Sequence, residues 1–501
     1  MSKLLKASSQ PRSRAMSGVI LLAAIGLSGC GGGGEDNTVG FVTTPSGETD
    51  PIVIHSPAQI AQVSADNYDD NVNGLISGAT LKRWKDDWIN ERPAGITGKL
   101  VILQVSEGPA GAEYIMPNGS NVFTYLSPSS EWIQTRSNGV ISTPSMVPDG
   151  ASMDALLVKY NINPHTDMIV TAMGTGTTGN AMGQGRIWYA LRYWGVEAQH
   201  LALVNGGNQW LNGSSMTAAD FQATASSAPG TGFVSVKSLA SDNTALQATF
   251  EDLMSVLPSS DSNVLDDGVF IWDARGMNQY SAGEMLEMGQ SGCAAAYCAP
   301  PPGFNYMSTF QNSGSRQGHP RGGMQLQFTN MLVAAEGYRY KDKAELIAYL
   351  NGDVDANGLG IVDSSYQLVG AGNAYQAGDT VYTYCETTFR AMITGVVSAV
   401  ILGNPTRFYD GAMIEWNSLS YLQDATGSYI LPMNSPWRTD VLSYYRPASD
   451  PALVATRAID NPYATHANAI IQADKAYKAS SSSSGDSGSG GGALPPNPCG
   501  G

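Results

Sequence analysis

The clearest pattern of apolar and polar positions lies towards the carboxyl end of the chain. An apolar, β-rich run, Val381–Tyr384, is followed by polar Glu386–Thr388 and then by a mostly apolar segment, Phe389–Leu402, which Gly403 ends. Short apolar runs are typical of buried strands, and longer ones closed by glycine are typical of helices. The pattern predicts a strand, a loop and a helix, with Cys385 at the turn.

A second, weaker copy of this pattern lies earlier in the chain. The segment Asp167–Met173 predicts a strand, Gly174–Gln184 a glycine-rich loop, Ile187–Gly195 a helix, and Leu203–Trp210 another strand followed by an aromatic residue. Repeated alternation of strands and helices favours an α/β fold. We therefore expect two tandem domains, at residues 52–230 and 244–431.

The position of Cys385 suggests chemistry. A loop between a strand and a helix amino terminus directs main-chain N–H groups and the helix dipole towards an anion. A thiol there ionises more easily, and the thiolate is the nucleophilic form of cysteine. A buried structural cysteine is the alternative, and the local sequence does not decide between the two.

Three motifs occur in order along the second predicted domain. Val269–Arg275 is an apolar run that ends in Asp-Ala-Arg, Gly318–Gly323 reads Gly-His-Pro-Arg-Gly-Gly, and Cys385–Arg390 is followed by Tyr409–Gly411. These motifs resemble the Asp-x-Arg strand, the Gly-His turn and the active-site loop of the rhodanese (thiosulfate sulfurtransferase) family. The tandem-domain members, which act on thiosulfate or 3-mercaptopyruvate, are the most similar. The resemblance implies two tandem rhodanese-like domains, each a mainly parallel sheet flanked by helices.

The resemblance also implies roles for residues of the second domain. Cys385 is expected to carry a sulfur atom as a persulfide, with no cofactor and no metal. Substrate contacts are expected from Glu386, Thr387, Thr388, Phe389, Arg390, Arg275 and Arg321. Structural hydrogen bonds are expected from Asp273, His319 and Asp410, and burial of Arg275 against Asp273 stays an equal alternative to substrate contact. The first domain has neither the cysteine nor the Asp-x-Arg motif, so it is expected to be inactive and to form one side of the active-site cleft.

Three positions depart from the usual residues of the family. Glu386 stands where a basic residue commonly follows the cysteine, Gln279 stands where many tandem members have a second basic residue, and Thr388 replaces a glycine. A carboxylate beside a thiolate opposes its ionisation and repels a dianionic donor. A β-branched residue does not readily adopt a positive φ, so we expect the loop backbone to differ in detail. The six-residue length from Cys385 to Arg390 still matches sulfurtransferases rather than the related phosphatases.

These observations predict an enzyme that moves a sulfane sulfur from a small sulfur-containing donor to a thiophilic acceptor. A second hypothesis is a carrier that binds polysulfide, selenite or another chalcogen oxyanion for an envelope redox partner without turnover. A degenerate scaffold is a third hypothesis, against which the presence of both Cys385 and Arg390 argues.

The amino terminus predicts export and a lipid anchor. Residues 1–29 have the form of a signal peptide: four basic residues precede an apolar run, Val19–Leu27, which is too short to span a bilayer. The segment Leu27–Cys30 resembles a bacterial lipobox, which implies cleavage before Cys30, lipidation of its thiol and attachment to the cell envelope, with the outer membrane as the expected site. An ordinary cleaved signal peptide with a chance cysteine is the alternative.

Charge limits the partners of the exported chain. The formal net charge is −16, and loss of the four basic leader residues changes it to −20. Such an acidic surface repels nucleic acid and anionic lipid headgroups, so the lipid is the only expected membrane contact. A site for an anion therefore needs local positive charge.

Further segments complete the predicted organisation. Residues 30–51 are expected to be a flexible tether, 432–479 an extension that covers the cleft or docks on the first domain, and 480–501 a disordered tail. Cys293 and Cys298 are expected to form a local disulfide in an oxidising compartment. Free thiols, or a resolving thiol for Cys385, are the alternatives.

Overall fold

Two parallel sheets with the same strand order form the framework of the protein. The computed structural model describes residues 41–43, 49–282, 317–420, 426–445 and 458–480. The strands of the first sheet are β1 Gly74–Ile76, β2 Leu100–Gln104, β3 Val122–Leu126, β4 Met168–Ala172 and β5 Leu201–Val204. Their order across the sheet is β1-β5-β4-β2-β3, and every pair is parallel.

The second sheet repeats this arrangement. Its strands are β6 Gln247–Ala248, β7 Val269–Asp273, β8 Met324–Gln325, β9 Thr380–Tyr384 and β10 Thr406–Tyr409. The order is β6-β10-β9-β7-β8, again with parallel pairs. The central strands are apolar runs that are buried almost throughout, as expected for sheets covered on both faces. Strand for strand, β4 in the first half corresponds to β9 in the second.

Helices connect and cover the strands. The longer ones are α1 Gly78–Asp86, α2 Gly150–Tyr160, α3 Thr178–Tyr193, α4 Asn208–Ser214, α5 Phe250–Val256, α6 Lys343–Asn351, α7 Phe389–Val396, α8 Ala412–Ser418 and α9 Ala469–Ala479. A π-helical turn, Val397–Ile401, continues α7. Because α3 leads from β4 to β5 and α7 leads from β9 to β10, both halves have a strand, a loop and a helix in the predicted order. The predicted extent of the first-half loop, Gly174–Gln184, is wrong, since α3 already begins at Thr178 and the glycine-rich segment forms its first turns.

Short elements fill the remaining connections. Single-turn α-helices are Pro57–Ile60, Trp88–Glu91 and Met277–Tyr280. Two-stranded ribbons are Phe41–Thr43 with Thr49–Pro51, Val53–Ile54 with Ser241–Asp242, Tyr114–Ile115 with Phe221–Gln222, Gln134–Ser137 with Ser142–Met146, Gly318–Pro320 with Ser443–Tyr445, and Leu332–Val333 with Arg339–Tyr340. The 3₁₀ turns are Ser129–Trp132, Ala198–His200, Ala218–Asp220, Val236–Ser238, Thr244–Leu246, Phe328–Met331, Ala334–Glu336 and Asp440–Leu442.

The two halves share one hydrophobic core in which α3 packs against α7. Gly185 of α3 lies so close to Met392 of α7 that an added Cβ would be 2.9 Å from the Met392 Cβ. Tyr189 and Phe408 place their rings 4.8 Å apart across the same boundary. The predicted fold class, α/β with two tandem units of mainly parallel sheet, is confirmed, whereas the boundaries 52–230 and 244–431 stay predictions.

The carboxyl-terminal extension docks on both halves. Helix α9 is held on the first half by a bidentate ion pair, since Arg136 donates to both carboxylate oxygens of Asp474 at 2.8 and 2.6 Å. Upstream, Ser443–Tyr445 pairs with Gly318–Pro320 of the second half. Of the two alternatives in the sequence analysis, docking on the first domain describes α9.

Several predicted features lie outside the described residues. They are the signal peptide, Cys30, tether residues 31–40 and 44–48, the Cys293 and Cys298 pair, and the tail from residue 481. The expectation of a flexible tether is wrong for its described part, since Phe41–Thr43 pairs with Thr49–Pro51. Over the ranges that are described, no helix has the length and apolar character needed to cross a membrane.

Candidate active site

Cys385 lies directly after strand β9, at the start of the loop that leads into α7. The strand is fixed on one side by β7, where Asp273 is the register partner of Tyr384. Cys385 carries a reduced thiol, and its side chain has no solvent-exposed surface. The remaining loop residues, Glu386, Thr387, Thr388 and Phe389, are also buried. The predicted strand–loop–helix turn is therefore formed, inside the protein rather than at its surface.

The amino terminus of α8 orients the first two peptide units of the loop. The N–H of Met413 donates to the Cys385 carbonyl at 3.0 Å, and the N–H of Ile414 donates to the Glu386 carbonyl at 3.0 Å. In a trans peptide unit the C=O and the N–H point in opposite directions. The N–H groups of Glu386 and Thr387 are thereby directed away from α8. This arrangement gives the loop one side with carbonyl groups and an opposite side with donors.

Thr388 completes the turn in a left-handed conformation. Its φ of 68° and ψ of −14° lie in a region that costs a β-branched residue about 1–2 kcal/mol. The Thr388 hydroxyl donates to the Asp410 carbonyl at 2.8 Å, with the Tyr409 carbonyl at 3.2 Å. The expectation that a threonine would resist a positive φ here is wrong, because tertiary hydrogen bonds hold the residue in that conformation.

Arg275 is buried beside the loop and is fully engaged by protein groups. Its Nε and Nη2 donate to Asp273, with distances between 2.6 and 3.2 Å, and Nη2 also donates to the Gly318 carbonyl. Its Nη1 donates to Gln317 at 3.0 Å and approaches Glu386 at 3.4 Å. All five N–H groups therefore have acceptors. The expectation that Arg275 contacts substrate is corrected to its alternative, burial against Asp273.

Gln279 connects the two charged residues of the loop. Its Oε1 accepts a hydrogen bond from Arg390 Nη1, and its Nε2 lies 3.4 Å from the Glu386 carboxylate. The role of Gln279 is more than the loss of a basic residue that its position in the sequence indicates. In the structure it is part of a network of two guanidinium groups and two carboxylates whose formal charges cancel. The Glu386 carboxylate is thus compensated mainly by Arg275.

The remaining predicted residues occupy different surroundings. His319 stacks on Tyr280 at 3.9 Å, and its ring nitrogens lie 2.8 Å from the Tyr280 carbonyl and 3.0 Å from Asp261. Burial opposes ionisation of Asp261, but the hydrogen bonds from His319 and from the N–H of Gly322 outweigh it and hold the Asp261 pKa below its usual range. Arg321 donates to the Ser259 carbonyl at 3.2 Å. Among the contacts of the described residues, none joins Arg321 to the Cys385 loop.

Asp410 has a partner that sequence analysis missed. Its carboxylate accepts hydrogen bonds from Arg186 of α3 at 2.6 Å and from the N–H of Val147 at 2.6 Å, both in the first half. An arginine within a buried helix indicates that buried acceptors exist but not which residues supply them, since Arg192 of the same helix donates to the carbonyls of Val196 and Ile60. Within the described ranges, no three His, Cys, Asp or Glu side chains come together to hold a metal ion.

Comparison with known proteins gives similar structures but no sequence relative. No family model and no curated protein sequence matches the chain. The Tum1 protein from Saccharomyces cerevisiae is 12% identical, with 69% of this chain and 95% of that chain covered and a TM-score of 0.42. SseA from Escherichia coli, described with the rhodanese fold and mechanism of 3-mercaptopyruvate sulfotransferases, is 16% identical over 68% and 98%, with a TM-score of 0.40.

A third similar structure is the 3-mercaptopyruvate sulfurtransferase from Leishmania major, which is 11% identical over 70% of this chain and 76% of that chain, with a TM-score of 0.38. The fold class rests on the two parallel sheets of the structure.

Proposed function

We propose that this protein is a sulfurtransferase that carries a sulfane sulfur on Cys385 as a persulfide. The observation that supports this most strongly is the loop geometry: α8 binds the carbonyls of Cys385 and Glu386, which turns the following N–H groups to the other side of the loop. Donors arranged in this way beside a thiol at a helix amino terminus stabilise negative charge on sulfur.

The reaction consists of two displacements at sulfur. In the first, the Cys385 thiolate attacks the outer sulfur of the donor, the sulfur–sulfur or carbon–sulfur bond of the donor breaks, and its electron pair leaves with the donor anion. In the second, a nucleophilic acceptor such as cyanide or a thiolate attacks the outer sulfur of the persulfide and regenerates the Cys385 thiolate. The two steps form a ping-pong cycle with a covalent intermediate, and Arg390 with the loop N–H groups stabilises the departing anion.

The balanced charge beside the loop favours donors of low charge. Arg275 is neutralised by Asp273 and Glu386, and Arg390 is held by a neutral amide. A dianion such as thiosulfate therefore gains less from this site than a monoanion such as 3-mercaptopyruvate. We infer that thiosulfate is the poorer of these two donors.

Location in the cell envelope is a separate part of the proposal and rests on the sequence of residues 1–30. A Cys30→Ser variant is expected to lose incorporation of labelled palmitate and to leave the membrane fraction, whereas the native chain is expected to incorporate the label. Incorporation by the variant would contradict lipidation at Cys30.

A carrier without turnover is the second candidate, and the complete burial of the Cys385 side chain favours it because exchange of a buried sulfur is slow. Sulfur transfer to cyanide should be measured with thiosulfate, 3-mercaptopyruvate and polysulfide as separate donors, with Cys385→Ser as the control. The proposal predicts many equivalents of product for each protein molecule. A single equivalent would support the carrier, and no product with any donor would contradict the enzyme.

A further inference from the structure

An arginine in the first half is bound to the end of a strand in the second half. Arg186, in the middle of α3, has no solvent-exposed surface. Its Nη1 and Nη2 donate to the two carboxylate oxygens of Asp410 at 2.6 and 3.3 Å, and its Nε donates to the Trp132 carbonyl at 3.3 Å. The guanidinium also lies 5.1 Å from the centre of the Tyr189 ring. Both members of this ion pair are therefore buried and held in one geometry.

Asp410 transmits this contact to the cysteine loop through its main chain. The residue follows β10 directly, and its carbonyl accepts the hydroxyl of Thr388 at 2.8 Å. Thr388 lies three residues after Cys385 and has the left-handed conformation that joins the loop to α7. A shift of Asp410 therefore changes the support of Thr388, and a change in Thr388 changes the direction of the loop N–H groups.

The corresponding position of the first half shows what packing alone requires. Asn205 follows β5 as Asp410 follows β10, and its side chain accepts the N–H of Tyr340 from the second half at 2.8 Å. Asp410 likewise accepts the N–H of Val147 from the first half at 2.6 Å. A neutral amide is thus sufficient for the contact between the halves. At the end of β10, beside the cysteine loop, the same position is instead a carboxylate that forms an ion pair with Arg186. Burying such a pair is costly.

We propose that Arg186 is a positioning residue for Cys385. By fixing Asp410, it holds Thr388 in the left-handed conformation and so keeps the loop donors directed at the sulfur. This inference rests on the proposed function and extends it: the half without a cysteine sets the reactivity of the cysteine in the other half.

The test compares two arginines of the first half that make buried bidentate ion pairs. Arg186→Met removes the pair to Asp410, and Arg136→Met removes the pair to Asp474, which does not contact the loop. In the full-length chain, two quantities should be measured: the single-turnover rate of persulfide formation, and the pH midpoint of thiolate ultraviolet absorbance after subtraction of the Cys385→Ser spectrum. Chemical denaturation checks that both variants are folded.

We expect Arg186→Met to lower the persulfide rate by about 100-fold, the scale of a small misplacement of reacting groups, and to raise the midpoint of thiolate formation. Arg136→Met should leave both quantities at their native values while losing similar stability. Native values in Arg186→Met, or equal changes in the two variants, would overturn the proposal. If the native protein forms no persulfide, the proposed function fails, but the thiolate midpoint still decides the role of Arg186.

Two further variants keep the test decisive if Arg186→Met does not fold. Arg186→Met combined with Asp410→Asn removes both charges together and leaves no unpaired ion. Thr388→Val removes only the hydroxyl and keeps the side-chain shape. We expect the double variant and Thr388→Val each to raise the pH midpoint of thiolate formation. Combining all three substitutions should raise the midpoint little further, because the three residues act through one chain of contacts. Fully additive effects would contradict the path through Thr388.

Discussion

The two halves build the same turn and surround it with different side chains. After β4, the first-half loop is closed by protein groups: the N–H of Thr175 donates to the Glu107 carbonyl at 3.2 Å, and the N–H of Gly176 donates to the Gln209 side chain at 2.8 Å. In both halves a helix amino terminus also binds a loop carbonyl, since Asn208 of α4 donates to the Gly174 carbonyl at 2.7 Å and α8 donates to the carbonyls of Cys385 and Glu386. The turn itself is therefore common to both halves, and the side chains around it distinguish the half that contains the thiol.

The ends of the neighbouring strands, β2 and β7, also carry different side chains, one neutral and one charged. Gln104 of β2 corresponds to Asp273 of β7, and its Nε2 donates to the carbonyls of Ser106 and Glu113, both at 2.7 Å. Asp273 instead forms a buried ion pair with Arg275. A neutral amide therefore supports the closed loop, and charged groups surround the loop that contains the thiol.

The largest effect is expected from moving the thiol between the halves. Met173 follows β4 as Cys385 follows β9. Cys385→Ser should abolish sulfur transfer, and adding Met173→Cys to that variant should not restore it, since the first-half loop binds Glu107 and Gln209 and has no arginine that corresponds to Arg390. Thiocyanate production with cyanide as acceptor is the measurement. Restored turnover would show that the loop contacts are not what distinguishes the two halves.

The second effect concerns the charged strand end. Arg275→Met leaves Asp273 as an unpaired buried charge and should lower the free energy of unfolding by about 3–5 kcal/mol. Ser106→Ala, at the corresponding first-half position, should cost about 1 kcal/mol because it removes only neutral hydrogen bonds. Urea denaturation measures both. Equal losses of unfolding free energy in the two variants would mean that the ion pair stabilises the second half no more than neutral hydrogen bonds stabilise the first.

The third effect concerns the carboxyl ends of the two central helices. Beyond α3, the buried Lys478 donates to the Trp194 carbonyl at 3.1 Å and also to the Ser241 carbonyl. Beyond α7, neutral main-chain N–H groups of Gln62 and Ser64 bind the carbonyls of Ala399 and Ile401. Burial lowers the pKa of Lys478 from 10.5 to about 8, so the unfolded chain binds more protons between these values.

Stability should therefore rise as the pH rises from about 8 to about 10.5, by at most on the order of 3 kcal/mol. Lys478→Met should remove this rise, which urea denaturation at several pH values will measure. The same slope in the variant and in the native protein would assign the pH dependence to other groups.

The smallest effect tests the charge balance at the loop. Glu386→Gln removes the carboxylate beside the thiol and should increase kcat/KM for dianionic thiosulfate about tenfold relative to that for monoanionic 3-mercaptopyruvate. Glu107→Gln makes the same change of net charge beside the first-half loop and should leave the ratio unchanged. An unchanged ratio in Glu386→Gln would show that this carboxylate does not select the donor.

Local patterns in the sequence were sufficient to predict the repeated turn. The apolar run and the closing glycine placed the strand and the helix, and the structure has them at Thr380–Tyr384 and Phe389–Val396, with a π-helical turn before Gly403. The π turn was not predicted, and the main-chain N–H groups of Gln62 and Ser64 that bind its Ala399 and Ile401 carbonyls come from the first half and leave no local sequence pattern.

Features that depend on distant partners were missed. Arg186 and Asp410 lie 224 residues apart and meet only because α3 packs against the second half. The conformation of Thr388 was misjudged because local preference was weighed without the carbonyls of Tyr409 and Asp410. Gln279 looked like a lost contact, since its two partners on the loop are not adjacent to it in sequence.

The most direct measurement of the central claim is peptide mass spectrometry of the native chain after exposure to polysulfide or 3-mercaptopyruvate. The account predicts an added mass of about 32 Da, one sulfur atom, on the peptide that contains Cys385, and its removal by cyanide. An unmodified Cys385 peptide, or an adduct confined to the other cysteines, would contradict it.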